Sequence, residues 1–234
     1  MKKYFDSSWE ENYKRGKGFN KYPYGELVSV FFNSLKYSTT PVESVLEVGC
    51  GAGNNLWFMG ELGFNVYGVD GSETIVKEAK KTCQLRGVDS DIRHGYFEAL
   101  PFENETMDVV IDRESIYCGT KEAIVRSLQE VSRVLKTGGV FITFRFNDKN
   151  PTLELLNDGV ISGEKLEEGT YTNISSGTFH GVGVVNFVSL EELKEQHSFL
   201  DIKHINEHTN KTVEDYSGEN GYFYSEYILV GVKK

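Results

Sequence analysis

Cysteine is scarce in this chain, which has three in 234 residues, Cys50, Cys83 and Cys118, and no Cys-x-x-Cys pair. An odd number of widely separated thiols does not build a disulfide framework, and it does not match the ligand spacing of a zinc site. His204 and His208 stand four residues apart, but two ligands without a third do not favour a metal. We therefore expect reduced thiols, no metal and a cytoplasmic location.

Long apolar runs and dense basic blocks are also missing. No run approaches the roughly 18 apolar residues of a membrane-spanning helix, and Met1 to Asp6 leads into polar residues without the apolar core of a signal peptide. The formal net charge is −10, and Lys and Arg form no dense cluster. Proteins that bind nucleic acid usually present a basic field. These absences predict partners that are neither membranes nor nucleic acids.

Glycine is present at alternate positions where a strand-like segment ends. Val45 to Val48 is apolar apart from Glu47, and Gly49, Gly51 and Gly53 follow, with apolar residues at helical spacing beyond. Glycine lacks a Cβ, so its backbone can adopt positive φ and approach a ligand closely. The helix that follows directs its unpaired N–H groups and its positive dipole end into the same crevice. The stretch predicts a site for an anionic or strongly polar small molecule.

Two classes of cofactor use such a turn, and the spacing of the small residues helps to distinguish them. A dinucleotide site carries G-x-G-x-x-G or G-x-G-x-x-A; counted from Gly49, its third small residue falls on Asn54, and Gly53 comes one position early. Asn65 to Asp70 then reads as a short strand that ends in an acid. A carboxylate accepts hydrogen bonds from two adjacent hydroxyls, so Asp70 suits a ribose diol. Because a carboxylate at a strand end is not core, we expect Asp70 to matter little for fold stability.

The pattern Glu-x-Gly-x-Gly-x-Gly with an acid after the next strand resembles motif I of the class I S-adenosylmethionine-dependent methyltransferases. In that family the glycine turn passes under the methionine part of the cofactor, and the second acid binds the ribose hydroxyls. The resemblance covers residues 42–146 closely and the last strands loosely. It implies S-adenosyl-L-methionine as cofactor and S-adenosyl-L-homocysteine as product. The residues that we expect at the cofactor are Glu47, Gly49, Cys50, Gly51, Gly53, Asp70, Gly71, Ser72, Tyr96, Phe97 and Arg113.

Two further comparisons with the family pattern concern the residues that would hold adenine and the class of acceptor. The family commonly carries Gly-Asp-Ala, a spacer and Leu-Pro-Phe after the third strand, and the Asp usually reaches the adenine amino group. Here Gly95 and Leu100 to Phe102 match, but Tyr96 replaces the Asp, so the Phe97 backbone or aromatic stacking is expected to hold adenine. The Asn/Asp-Pro-Pro-Tyr/Phe motif of nucleic-acid and protein amino methyltransferases is absent after the fourth strand. The resemblance therefore implies a small-molecule acceptor.

Strand-like and helical segments alternate through residue 146, which predicts an α/β fold with a right-handed, doubly wound parallel sheet. The resemblance implies a Rossmann-like, seven-stranded, mostly parallel sheet, with an antiparallel last strand at Tyr222 to Val232 and helices on both faces. We expect one methyltransferase domain over 1–234. Its parts are an N-terminal arm or lid (1–23), a cofactor-binding core (42–146), an irregular acceptor-side insert (147–187), and a C-terminal helix and strands (188–234).

Catalytic residues are expected to be few, because the sulfonium already makes the transferred carbon electrophilic and the protein supplies alignment and desolvation. A general base is needed only where the acceptor must lose a proton. His180, in the insert, is a candidate base, and Tyr117, beyond the fourth strand, is a candidate residue of the acceptor site. Two alternatives stay open: a NAD-dependent oxidoreductase, which the glycine spacing disfavours, and a cofactor-binding protein without transfer activity.

Overall fold

The structure, a computed structural model, describes residues 5–212 and 223–234. The helices described are α1 (Ser7–Lys14), α2 (Gly25–Ser34), α3 (Asn54–Glu61), α4 (Glu73–Leu85), α5 (Lys121–Val134), α6 (Pro151–Asn157) and α7 (Leu190–Gln196). The strands described are β1 (Ser44–Val48), β2 (Asn65–Asp70), β3 (Ser90–His94), β4 (Met107–Arg113), β5 (Leu135–Phe146), β6 (Glu164–Glu167), β7 (Thr170–Thr172), β8 (Val185–Asn186), β9 (Leu200–Lys211) and β10 (Phe223–Lys233).

The main sheet has seven strands in the order β3-β2-β1-β4-β5-β10-β9. Strands β1 to β5 run parallel to one another, and β10 lies between β5 and β9 and is antiparallel to both. This arrangement confirms the predicted doubly wound, mostly parallel sheet with an antiparallel last strand. Parallel strands must be joined by a long crossover connection, which is usually a helix. The alternation of strand and helix in the chain therefore favours this parallel arrangement.

The two faces of the sheet carry separate hydrophobic cores. Val45 belongs to the core formed with α2, α3 and α4, and its neighbour Leu46 belongs to the core formed with α5 and α7. Successive side chains of a strand point to opposite faces, so one short strand contributes to both cores. Both residues have no solvent exposure (0%). Helices therefore cover both faces, as the sequence predicts.

Two segments are more regular than the sequence predicts. The arm contains α1, and the insert contains α6 and a second sheet in the order β6-β7-β8. The expectation of an irregular segment is wrong for the insert, because its apolar residues form a third cluster with the ends of β5 and β10. The buried members are Phe146, Tyr171, Ile174, Phe179, Val185, Phe187 and Tyr224. No helix among the described residues is both long and apolar enough to cross a membrane.

The boundaries of the last strands also differ from the predictions. The sequence predicts a strand over Phe199 to His204, but β9 continues to Lys211 because β10 pairs with it along its whole length. The side chains beyond Ile205 are polar and mostly exposed, so apolar periodicity does not reveal this extension. The predicted last strand is observed from Phe223 to Lys233, and Tyr222, its predicted first residue, lies outside the described residues.

Candidate active site

The carboxyl ends of β1, β2 and β4 open into a cavity of about 500 Å³, which we call the first cavity. Parallel strands direct their carboxyl ends to one edge of a sheet, so the loops that follow them meet there. The glycine turn after β1, Asp70 at the end of β2 and Arg113 to Ile116 after β4 line one side. Aromatic residues of α1 and of the segment before α2 line the other side: Trp9, Tyr13, Tyr22 and Tyr24.

The three glycines of the turn have different functions, although each has a positive φ. A Cβ on Gly49 would lie 2.0 Å from Ser115 Oγ, and a Cβ on Gly53 would lie 3.2 Å from atoms of Ala79 in α4. Gly49 and Gly53 are therefore needed for close packing within the protein. A Cβ on Gly51 would meet no protein atom within 4 Å, and Gly51 lines the first cavity. A Cβ at this position would enter space that a ligand can occupy.

Asp70 holds the glycine turn in place as well as facing the first cavity. Its Oδ2 accepts a hydrogen bond from the Gly51 N–H at 3.1 Å, and its Oδ1 accepts one from the Ser72 N–H at 2.9 Å. The residue is only 7% exposed, and burial raises the pKa of its carboxyl to about 6. The expectation that Asp70 matters little for stability assumed that this carboxylate is not part of the core, and that assumption is wrong. Each oxygen keeps a lone pair for a further donor, such as a hydroxyl.

Glu47 places an unpartnered carboxyl oxygen at the first cavity. Its Oε1 accepts a hydrogen bond from Asn55 Nδ2 at 2.6 Å, whereas its Oε2 is buried and has no hydrogen-bond partner among the described residues. Burial raises the pKa of Glu47 to about 8. A buried polar atom without a partner is costly, so this oxygen favours a ligand with a donor. The ammonium group of the methionine part of the expected cofactor is such a donor.

The structure brings together seven of the residues that the sequence predicts for the cofactor. Those that line the first cavity are Glu47, Gly49, Cys50, Gly51, Asp70, Phe97 and Arg113. The four that do not line it are Gly53, Gly71, Ser72 and Tyr96.

Each of the four residues outside the lining has another environment. Gly53 lies against α4, and Gly71 lies against Phe5, where a Cβ would come within 2.2 Å of the ring. Ser72 is fully buried and caps α4, since its Oγ accepts a hydrogen bond from the Ile75 N–H at 3.2 Å. The Tyr96 ring lies 5.9 Å from the His94 ring, centroid to centroid.

Tyr117 does not line the first cavity, because its side chain is buried in the hydrophobic core that the sheet forms with α5 and α7. It has no solvent exposure, and its hydroxyl lies 3.1 Å from His197 Nε2 and 3.3 Å from Thr143 Oγ1. The Arg145 guanidinium lies 3.5 Å from the centre of the ring. Burial raises the pKa of the Tyr117 phenol to about 12. These contacts indicate that Tyr117 anchors the loop after β4 to the core of the protein.

His180 is also outside the lining of the cavities. Its side chain is exposed, while its neighbour Phe179 takes the buried position in the third cluster. Phe179 is the one buried residue between Ser175 and Gly181, and the histidine lies on the solvent side of the segment. The structure therefore places neither candidate catalytic residue next to the first cavity.

A second cavity, of about 310 Å³, adjoins the first. Five residues line both: Trp9, Tyr24, Arg113, Glu114 and Cys118. The second cavity also contains His208 and Tyr224 from the β9–β10 pair, together with side chains of the insert. Sequence reasoning missed Glu114, His208 and Glu226, which binds His208. The sequence carries a signal for Glu226 alone, which is a charged residue directly before the apolar run Tyr227 to Val230 of β10.

The buried carboxyls of this region make stability depend on pH. Burial raises the pKa of Glu47 and of Glu114 to about 8 and that of Glu226 to about 7. In the unfolded chain these groups lose their protons near pH 4.5, so near neutral pH the native state holds protons that the unfolded state has released. The free energy of unfolding must then fall as pH rises through the folded-state pKa values.

We expect the ligand-free protein to be less stable at about pH 8.5 than at about pH 6.5, by on the order of 1 kcal/mol for each of the three carboxyls. Burial lowers the pKa of His197 to about 4, which has the opposite effect, but only below about pH 6.5. Urea denaturation at the two pH values measures the difference. Equal or greater stability at the higher pH contradicts the assignment of raised pKa values.

No group of three or more His, Cys, Asp or Glu side chains within residues 5–212 and 223–234 is arranged to hold a metal ion. The two cavities combine polar side chains with aromatic rings, among them Trp9, Tyr24 and Phe97. This composition suits an organic ligand with a few polar groups.

A family model described as a methyltransferase domain matches residues 45–139. The chain is 32% identical over 116 residues to the uncharacterized methyltransferase YodH of Bacillus subtilis, covering 50% of this chain and 48% of the relative. It is 29% identical over 170 residues to a probable phthiotriol/phenolphthiotriol dimycocerosates methyltransferase of Mycobacterium ulcerans, covering 71% of this chain and 63% of the relative. The chain therefore spans about half of the first relative and less than two thirds of the second.

A solved structure with a similar fold is the 1,6-didemethyltoxoflavin-N1-methyltransferase of Burkholderia thailandensis, with bound 1,6-didemethyltoxoflavin and S-adenosylhomocysteine. The TM-score is 0.67 at 16% identity, and the match covers 97% of this chain and 86% of that one. At this identity the similarity shows the fold alone.

Proposed function

We propose that the chain is a class I S-adenosylmethionine-dependent methyltransferase, which the match of residues 45–139 to a methyltransferase-domain model supports, and that it transfers a methyl group from this cofactor to a nucleophilic atom of a small-molecule acceptor. The observation that carries the proposal is the convergence of Glu47, Gly51 and Asp70 on the first cavity. S-adenosylmethionine is the cofactor of the family, so the NAD-dependent alternative is not supported.

The residues of the first cavity fit the parts of the cofactor. Asp70 would accept hydrogen bonds from the ribose hydroxyls, and the backbone at Gly49 and Gly51 would lie under the methionine part. The free oxygen of Glu47 would accept a hydrogen bond from its ammonium group, and Phe97 would contact adenine. The cofactor supplies an electrophilic methyl carbon when it is bound. The contribution of the chain is to align the acceptor and to exclude water.

A small acceptor is supported by the size and charge of the site. The second cavity is of the size that small molecules occupy, and the net charge of −10 does not favour a nucleic acid. The Mycobacterium relative is named for phthiotriol dimycocerosates, and the Burkholderia structure holds 1,6-didemethyltoxoflavin. We also propose a cytoplasmic location, which the free thiols of Cys50, Cys83 and Cys118 support.

Cofactor with a labelled methyl group tests the proposal directly. The protein is incubated with labelled S-adenosylmethionine and a cell extract, and the extract is then separated into small molecules, protein and nucleic acid. We expect label in small molecules other than the cofactor itself, and much less of it there with the Asp70→Ala variant. Label in protein or nucleic acid contradicts the choice of acceptor. Binding of the cofactor without any transfer supports the remaining alternative, a binding protein without transfer activity.

We propose that the arm acts as a lid over both cavities, and the polar contacts of three of its residues support this role. Glu10 of α1 accepts hydrogen bonds from Ser72 Oγ and, at 2.7 Å, from Thr74 Oγ1. Those bonds lower the pKa of Glu10 to about 2. Asp6 accepts a hydrogen bond from the Val184 N–H at 3.1 Å, and Asn12 donates one to the Gly181 carbonyl at 2.9 Å. Helix α1 thus connects α4 to the insert.

We expect Glu10→Ala to loosen this lid. The variant loses two charge-assisted hydrogen bonds, so S-adenosylhomocysteine should dissociate about tenfold faster. The backbone amides of Ser7–Lys14 should also exchange faster with solvent. Hydrogen exchange and a competition assay measure the two effects. Glu11→Ala is the control, because the Glu11 side chain is 56% exposed on the same helix. If both variants behave like the wild type, α1 is not the lid.

A further inference from the structure

The second cavity opens beside the first and carries its own polar groups. Arg113 and Glu114 stand between the two cavities, because both residues line both. The Arg113 guanidinium lies 4.0 Å from the centre of the Tyr24 ring, and its Nη1 lies 3.2 Å from Glu114 Oε2. A molecule in the second cavity would therefore be next to the cofactor cavity, with Glu114 at the boundary.

Glu114 has one carboxyl oxygen to offer to a ligand. Oε2 faces Arg113, whereas Oε1 is buried and receives no hydrogen bond from a donor among the described residues. Burial and the adjacent Glu226 carboxyl both raise the pKa of Glu114, so a bound cation would stabilise its ionised form. The backbone of Glu114 has φ +57°, a conformation that costs free energy for a residue with a side chain. Such conformations cluster at functional sites, where the surrounding structure holds them. The surrounding structure thus holds the backbone of Glu114, and with it the side chain, in a conformation that costs conformational free energy.

The half-buried His208 lines this cavity and pairs with the buried Glu226. The two residues are cross-strand partners in the β9–β10 ladder, and His208 Nδ1 lies 2.9 Å from Glu226 Oε1. The Tyr224 hydroxyl donates to the other oxygen of Glu226 at 2.9 Å. Glu226 has no solvent exposure, so these contacts fix the imidazole ring. A bound cation favours the ionised form of Glu226. In the tautomer in which Nδ1 donates to that carboxylate, Nε2 keeps a lone pair that can accept a hydrogen bond.

The remaining wall of the second cavity is apolar and comes largely from the insert. Phe146 and Phe179 pack edge to face with ring centroids 4.8 Å apart, and Val182 lines the same wall. Two carboxyl groups, Glu114 and Glu226, share this region with one guanidinium group, Arg113. A bound cation would favour the ionised forms of the two carboxyls, whereas a bound carboxylate would be repelled by them.

We propose that the second cavity is the acceptor site and that it takes a small amine on an apolar or aromatic body. Glu114 Oε1 and His208 Nε2 accept hydrogen bonds from the ammonium group, and Glu226 positions the histidine ring. The aromatic wall of the insert contacts the body of the amine. This inference rests on the proposed function, because it assigns the acceptor of the same reaction.

Binding of two matched probes tests the inference without knowledge of the natural acceptor. Benzylamine and benzyl alcohol have the same ring and differ in charge. Ligand-detected NMR titrations are run with the whole chain saturated with S-adenosylhomocysteine, whose own affinity is measured on the same sample. We expect benzylamine to bind about tenfold more tightly than benzyl alcohol, because charge-assisted hydrogen bonds add to the contacts of the ring.

Glu114→Gln should remove most of this preference, and His208→Phe should reduce it. Glu105→Gln is the matched control, because Glu105 also has a positive φ, of 51°, but lies outside both cavities. If S-adenosylhomocysteine binds and the wild type shows no preference for the amine, the inference is wrong while the proposed function stands. A preference that survives in Glu114→Gln also overturns it. Failure of S-adenosylhomocysteine to bind overturns both.

Discussion

Gly51→Val is expected to abolish binding of S-adenosylhomocysteine while leaving a folded protein. A Cβ at this position meets no protein atom within 4 Å, and the residue lines the first cavity. The cofactor and the valine would then compete for the same space, which should weaken binding by about 100-fold or more. Isothermal titration gives the affinity, and circular dichroism confirms that the variant is folded.

Gly51 has φ +50°, so a valine there also strains the backbone. The loss of binding caused by this strain must be separated from the loss caused by occupying the ligand's space. Gly87→Val is the control, because Gly87 has φ +70°, a Cβ there would meet no atom within 4 Å, and the residue lines neither cavity. Both variants should lose about 1–2 kcal/mol of stability through strain, but only Gly51→Val should lose the ligand. Normal binding by Gly51→Val would show that the turn does not contact the cofactor.

Asp70→Ala is expected to lower both the affinity for S-adenosylhomocysteine and the stability of the fold. Two charge-assisted hydrogen bonds to a ribose diol contribute roughly 1.5–3 kcal/mol each at most, so a loss of about 100-fold in affinity is expected. The buried N–H groups of Gly51 and Ser72 also lose their acceptor. That loss should lower the free energy of unfolding by roughly 1–3 kcal/mol.

Asp108→Ala separates the two effects. Asp108 is also buried, at 2% exposure, and its Oδ2 accepts hydrogen bonds from the Glu43 and Ser44 N–H groups at 3.0 and 2.9 Å. It lies near the amino end of β4, outside both cavities. We expect Asp108→Ala to lose stability and to keep its affinity for the ligand. An Asp70→Ala variant that keeps its affinity would remove Asp70 from the cofactor site.

The central part of the fold could be predicted because local chemistry determines it. Apolar segments as short as β1 are buried on both faces, so their composition indicates parallel strands. The meeting of Gly51 and Asp70 at one cavity could be predicted, because a glycine turn after one strand and an acid at the end of the next lie at the same edge of a parallel sheet. Their spacing in the sequence then indicates the class of cofactor.

The acceptor side could not be predicted in the same way, because its residues meet only through tertiary pairing. Glu226 and His208 become neighbours through the β9–β10 ladder, and Glu114 joins them from the loop after β4. Nothing in the local sequence of any one of them indicates the other two. Tyr117 and His180 are chemically suitable, but the sequence does not show towards which side of the backbone a loop residue points.

Isothermal titration with S-adenosylhomocysteine and, separately, with NAD tests the central claim most directly, namely that the first cavity is a site for S-adenosylmethionine. A ligand that binds only the native state also stabilises it, so thermal unfolding gives an independent reading of the same equilibrium. The structure predicts binding of one S-adenosylhomocysteine per chain, with stabilisation by a few kcal/mol at saturation, and no binding of NAD. Binding of NAD with no response to S-adenosylhomocysteine would contradict this assignment.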